Sequence, residues 1–246
     1  MINLFRKIRQ GSLTQNKFGK YLIYAIGEII LVVIGILIAV QINNWNQQRE
    51  VEKTIHRIYS IVKSDLKSDI ENINFVLADM DKREPTFKKV LSGSMTREDY
   101  LACSECSGII GGFPDLAIKK RGLELLEEKS AIFDSEQDSL MQSVISFYSY
   151  FNTEIDVATE EISTDFRNNY SYWKNNMSWF IDYYNIDGQS NINEDLISYQ
   201  LGVDYRNRVG SFYVLYNSIY ITHLKSYKAE ALEIIESIDN RIDSLD

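Results

Sequence analysis

The chain is poor in proline, cysteine and histidine, with 2 of each in 246 residues. So few prolines leave little to interrupt a helix, and long helices are expected. The histidines, His56 and His223, are isolated, so no histidine-based metal site is expected. The sequence also lacks Gly-x-Ser-x-Gly, His-Glu-x-x-His and the Glu-x-x-His of di-iron bundles. No catalytic residue, metal site or cofactor follows from it, and the chain reads as a non-enzyme. Positive charge is scarce too, the net charge being −9. Setting aside five N-terminal bases and Glu28, 21 Lys and Arg face 34 Asp and Glu, which argues against nucleic acid and against an anionic membrane surface as partners.

Long hydrophobic runs are absent with one exception, Tyr21–Ile42, in which Glu28 is the only charged residue. Crossing about 30 Å of hydrocarbon takes about 20 apolar residues at ~1.5 Å each. The uncharged part, Ile29–Ile42, is 14 residues and too short. The span therefore extends back to about Tyr21 and carries Glu28 into the bilayer, where the carboxylate must be protonated, reach the interface or find a partner. On a helix, Tyr21, Glu28, Gly35 and Ala39 share one face. Gly35-x-x-x-Ala39 is a small-xxx-small pair of the kind that lets two helices approach closely, so this stripe is the expected contact face toward a homo- or hetero-oligomeric membrane partner.

The flanks give orientation. Arg6, Lys7, Arg9, Lys17 and Lys20 precede the run with no acid among residues 1–20, whereas Arg49, Glu50, Glu52 and Lys53 nearly balance beyond it. The positive-inside rule then places the N-terminus in the cytoplasm and the remainder outside. The expected organisation is a basic cytoplasmic segment 1–20, a transmembrane helix 21–42 and an outer helical domain 43–246. A cleaved signal peptide fits less well, because the apolar run is too long and lacks an Ala-x-Ala site. Asn43–Gln48, with Trp45 at headgroup level, marks the interface.

Beyond the run, Val51, Ile55, Ile58, Val62, Leu66, Ile70, Ile73, Leu77 and Met80 recur at steps of three and four, which predicts one amphipathic helix continuous with the membrane helix. Pro85 is expected to end or kink it, and Ser92-Gly93-Ser94 to break the chain. Thr96 and Asp99 form a capping box opening a short helix. Gly108, Gly111, Gly112 and Pro114 mark a structural loop with no phosphate-binding pattern. A helix is expected over 116–129 with Leu123 and Leu126 inward. A longer one, capped by Ser135, carries Leu140, Val144, Phe147, Phe151, Ile155, Ala158 and Ile162 on its buried side. Residues 168–193 read as irregular. The last helix runs through Val209, Phe212, Tyr216, Ile219, His223, Tyr227, Ala231, Ile234, Ile238, Ile242 and Leu245, with His223 as a core residue. Glu154, Asp156, Glu160, Glu161 and Asp165 read as a solvated face.

Cys103 and Cys106 are expected to form a short disulfide if the domain lies outside the cytoplasmic membrane. A redox pair would want a βαβ context, zinc would need two more ligands, and free thiols are the remaining alternative. Tyr170, Tyr172, Trp173, Trp179 and Tyr183 offer a candidate groove for a glycan or peptide, against the alternative that these rings pack the core.

Phe5–Gln10, FRKIRQ, and the following NKFGKYLIYAIGEIILVVIGILIAVQINNWN resemble the opening of a family of unknown function, the DUF6090 type common in Bacteroidetes. A looser likeness extends over GGFPD and GLELLEEKSAIFDSEQDSLMQSVISFYSYF. Family members tend to carry a Ser/Thr-Tyr element before the equivalent of Gly122, where this chain has Leu116-Ala117-Ile118-Lys119-Lys120. The resemblance implies a Gram-negative inner membrane with the domain in the periplasm, and no reaction. The fold expected is all-α, a single transmembrane helix continuing into a periplasmic antiparallel helical bundle. The function expected is that of an anchored interaction or assembly protein, with a periplasmic sensory or ligand-binding module as the alternative.

Overall fold

A computed structural model describes residues 18–103, 105–106, 108–133, 139–183 and 193–244, the side chains of 18–20, 182 and 183 excepted. The basic segment ahead of Phe18, the cap expected at Ser135 and the terminal Leu245 lie outside the described residues. Every element is helical, and no strand occurs among the described residues. The chain divides into two units, Met1–Ile55 and His56–Asp246.

Helix α1 spans Phe18–Leu91, 74 residues without interruption. The membrane-type run and the amphipathic stretch are thus one helix, as their shared periodicity predicts. Pro85 does not end it. Pro85 and Asp81 are both exposed, so the carbonyl that loses its partner at Asp81 faces water and costs little. The helix stops at Gly93, whose φ of 69° is the left-handed conformation of a helix C-terminus. The Gly93 N–H closes on the Val90 carbonyl at 3.1 Å.

Helix α2, Arg97–Ala102, opens on the expected capping box, with the Thr96 side chain accepting from the Asp99 N–H and the Asp99 carboxylate accepting from the Thr96 N–H. Residues 113–120 are not helical. Helix α3 begins only at Arg121 and ends at Glu128, later than the 116 start expected. Two aspartates of α1, described below, bind the Lys119 and Gly122 N–H groups here. Leu126 is buried as expected, and Leu123 is only half-buried.

Helix α4, Ser139–Asn176, is 38 residues long and buries Val144, Phe147, Phe151, Ile155, Ala158 and Ile162. It also takes in residues 168–176, which read as irregular; Asn169 and Trp173 are buried within it. Their asparagines and aromatics are weak helix formers individually, and tertiary packing overrides that preference. Helices α5 (Phe180–Tyr183) and α6 (Glu194–Gln200) are short. Helix α7 (Val203–Tyr213), a π-helical turn (Val214–Tyr220) and helix α8 (Ile221–Asp243) follow without a break.

The π turn corrects the stripe expected for this last helix. A π turn takes more residues per turn, so the buried face advances by one position after Tyr216. Tyr220 and Leu224 become fully buried in place of Ile219, which is 38% exposed, and His223, which is half-exposed. His223 faces Glu154 across 3.6 Å and is no core residue.

Within the second unit the long helices are antiparallel where they meet. Pairing of Lys63 with Asp239, Asn74 with Lys228 and Phe87 with Phe212 runs α1 against α7 and α8. Phe151 with Tyr227, Asp165 with Ser211 and Asn169 with Arg208 run α4 against them as well. The core is a column of rings and branched side chains, with Tyr59, Tyr148, Phe151, Phe212, Tyr216, Tyr220 and Tyr227 all fully buried. Arg83 ties the glycine loop to this column. Its guanidinium donates to the carbonyls of Ile109 at 2.7 Å and Gly112 at 3.0 Å, and lies over the rings of Phe87 and Tyr216 at 5.8 Å each.

Candidate functional sites

The apolar run of α1 is covered by nothing among the described residues. Its best 18-residue window has a mean hydropathy of 2.8, with none of it buried. Ile23, Ile29, Leu31 and Leu37 each expose more than 60% of their surface. Glu28, Gly35 and Ala39 are exposed and Tyr21 is half-buried. A Cβ built on Gly27 or Gly35 would meet nothing within 4 Å, so no contact among the described residues explains the small residues there. Trp45 lies just past the run, with the Arg49 guanidinium 5.8 Å from its ring centre. So long and exposed an apolar helix face cannot stay in water at low cost, and lipid or another protein must cover it.

The sequence motifs do not single out Asp65 and Asp69, the buried acids among the described residues of the second unit. Both sit on the apolar face of α1, among Val62, Leu66 and Ile73, and an acid at that register was the available signal. The Asp65 carboxylate accepts the Gly122 N–H at 2.7 Å and pairs with Arg121 at 3.2 Å. Asp69 accepts the Tyr227 hydroxyl at 2.7 Å and the Lys119 N–H at 3.2 Å. These bonds satisfy the Lys119 N–H of the non-helical segment 113–120 and the Gly122 N–H in the first turn of α3, which favours a helix start at Arg121. Burial, opposed by the Tyr227 and Lys119 hydrogen bonds and reinforced by the neighbouring Asp65 charge, raises the Asp69 carboxyl from 3.8 to about 6. Burial also pushes the Tyr227 hydroxyl far above its ordinary range, so it remains a donor. The pair acts as a structural latch between α1, α3 and α8.

Of the aromatic residues offered for a groove, Trp173 and Trp179 pack into the core, while Tyr170 and Tyr172 stay partly exposed. Trp173 and Trp179 are 2% and 3% exposed and pack on Tyr199, which accepts the Trp173 indole N–H at 2.8 Å. Tyr172 is covered on one face by Arg208, whose guanidinium lies 4.1 Å from the ring centre. Tyr170 stands edge-on to Phe180 at 5.2 Å. The Tyr183 side chain lies outside the described residues. These rings wedge α6 and α7 against the end of α4, and the driving force is burial of their large apolar area.

Cys103 and Cys106 are joined in a disulfide. The loop they close is tied to α7, because the Tyr205 hydroxyl donates to the Cys106 carbonyl at 2.8 Å. The acidic residues of α4 are spread over separate partners. Glu160 pairs with Arg167, Asp165 accepts from Ser211 and Asn169, and Glu154 faces His223. Among the described residues no group of three His, Cys, Asp or Glu converges as a metal site.

The molecule is thus an all-α protein with one N-terminal helix long and apolar enough to cross a membrane. Residues 28–100 match the model of a family of unknown function, DUF6090, the family that the N-terminal signature resembles. The match covers the apolar run from Glu28 onward, the amphipathic stretch with the aspartate pair, and the capping box. No curated protein and no solved structure matches the chain.

Proposed function

We propose that this protein is a non-enzymatic interaction or assembly factor anchored in a bacterial inner membrane by residues 21–42. Its N-terminus lies in the cytoplasm, its helical domain lies in the periplasm, and it associates with a membrane partner through the Tyr21, Glu28, Gly35 and Ala39 face. The observation that carries this reading is the wholly exposed apolar window of α1 with a glycine face open to close approach. Two others support it. The basic residues gather ahead of the run, as the positive-inside rule requires for this topology. The Cys103–Cys106 disulfide suits an oxidising compartment.

Glu28 gives the contact a reason to be specific. A carboxyl within the hydrocarbon is costly alone, and a hydrogen bond from a partner helix relieves that cost. Replacing it with leucine keeps the helix and improves its lipid solubility. Glu28→Leu is therefore expected to leave the protein in the membrane fraction while lowering recovery of its cross-linked complexes severalfold. Complexes recovered in undiminished yield would remove the contact face from the account.

A further inference from the structure

A cavity of about 60 Å³ lies where the end of α1, α2 and the turn between α6 and α7 meet, lined by Val90, Met95, Tyr100, Gln200, Val203 and Arg206 among others. None of its lining residues belongs to the aspartate latch, and packing alone leaves three of its features unexplained.

The first is Arg206. It is half-buried yet makes no side-chain hydrogen bond or ion pair among the described residues. Arg83, Arg97, Arg121, Arg167 and Arg208 all pair with carboxylates. Its guanidinium lies across Gly93, so closely that a Cβ there would fall 2.6 Å from Nη1. The second feature is Gln200, which is 5% exposed and whose Nε2 is buried with no hydrogen-bond partner. A buried donor left unmade is costly and rarely kept without cause. The third is the start of α7. Its N-cap is Gly202, which provides no side-chain cap, so the Val203 and Asp204 N–H groups at the start of an 11-residue helix open beside the cavity without a side-chain acceptor.

An unpaired guanidinium, an idle amide and an uncapped helix start form a set of donors with no acceptor. We infer that this cavity binds a small monocarboxylate with a short apolar tail, its carboxylate held by Arg206, Gln200 and the first amides of α7. A planar carboxylate fits the guanidinium fork, while Val90, Met95 and Val203 surround the tail. A single site charge and the Asp204 carboxylate in the same helical turn favour a monoanion over phosphate or sulfate. Asp204 itself is committed to Arg208 and to the Tyr199 hydroxyl. At roughly 10–15 Å³ per water-sized group, the cavity admits only a few heavy atoms beyond the carboxylate. Leu201 and Val203, 47% and 62% exposed, stand at the rim, so entry needs no rearrangement of the core. This chemistry belongs equally to a free short-chain acid and to the carboxyl end of a chain finishing in a small apolar residue. The proposal is independent of the membrane contact.

The test is equilibrium dialysis of the full chain in detergent micelles against labelled isovalerate, against a tripeptide ending in free valine, and against the same tripeptide as its C-terminal amide. Saturable, one-to-one binding of at least one free carboxylate is expected, and none of the amide. Binding of isovalerate alone assigns the site to a free acid, and tighter binding of the tripeptide assigns it to a chain end. Arg206→Met should weaken binding about tenfold or more and Gln200→Leu roughly threefold or more, each being a lost hydrogen bond to a charged group. Arg57→Met, at an arginine outside the cavity, should change nothing. If circular dichroism shows Arg206→Met misfolded, Val203→Phe at the exposed rim replaces it and should block binding. No saturable binding up to about 10 mM overturns the proposal. So does equal binding of the amide, or affinity unchanged in a folded Arg206→Met or Val203→Phe.

Discussion

Gly122→Ala should destabilise the helical domain by about 3 kcal/mol or more, although it replaces glycine with the best helix former inside a helix. The cost comes from the neighbour. A Cβ at this position would sit 2.7 Å from the Val62 Cα and 2.8 Å from its backbone nitrogen. Those atoms belong to the backbone of α1 and cannot swing aside like a side-chain end. The two helices must part, and parting stretches the 2.7 Å bond from the Gly122 N–H to Asp65, whose carboxylate is 3% exposed. Overpacking and a weakened buried hydrogen bond then add in the same direction. Gly210→Ala is the internal control. Its Cβ would meet only the Leu91 Cδ2 at an ordinary 3.6 Å, so the gain in helix propensity should leave stability unchanged or up to about 1 kcal/mol higher. Urea unfolding of both variants in detergent, read by circular dichroism, makes the comparison. Equal midpoints would mean that α1 and α3 do not approach as closely as these distances require.

The second large effect depends on pH. The folded Asp69 carboxyl titrates near 6 rather than at its ordinary 3.8, so the folded state holds this proton more tightly than the unfolded chain. Its contribution to stability is therefore fully present below about pH 4 and is lost as pH rises toward and through about 6. Raising a carboxyl by about two pH units between the unfolded and folded states corresponds to roughly 3 kcal/mol. Asparagine at this position keeps an acceptor for Tyr227 and cannot ionise. Asp69→Asn should consequently gain on the wild type by about that amount between pH 4 and pH 6, and by no more at higher pH. The groups facing this carboxyl, Tyr227, Lys119, Asp65 and Tyr148, are common to both proteins, so their titrations largely cancel in the difference. Thermal unfolding across that range checks it; parallel profiles for the two proteins would rule out the strained ionisation of Asp69.

Periodicity made most of the fold legible. Ile55, Ile58, Val62, Leu66, Ile73 and Met80 of the predicted α1 stripe are buried, whereas Ile70 and Leu77 are only half-buried and Tyr59 and Val76 join the core beside them; the run from Val144 to Ile162 is buried as read. The Thr96 and Asp99 box is local chemistry and forms as read. The misses share a cause, since each depends on a contact distant in sequence. Pro85 was tolerable because its face of the helix meets water. Residues 116–120 left the helix because Asp69, fifty residues earlier, binds the Lys119 N–H. The slip from Ile219 to Tyr220 follows from a π turn, which no spacing of apolar residues announces. The Trp173 and Trp179 cluster shows the limit for sites, because composition cannot distinguish rings that line a groove from rings that fill a core. Arg206 was invisible for a related reason, since only packing reveals a guanidinium left without a carboxylate.

The central claim is that the exposed run of α1 crosses the bilayer and presents one face to a partner. It is tested most directly by single cysteines carrying a photo-crosslinker along residues 21–42, in native membranes and on a background with Cys103→Ser and Cys106→Ser. The account predicts a helical period in which cross-linking is high for Tyr21→Cys, Gly35→Cys and Ala39→Cys, each keeping Glu28, and low for Ile30→Cys and Leu37→Cys on the opposite face. Yields that are uniform around the helix, or protein absent from the membrane fraction, would contradict it.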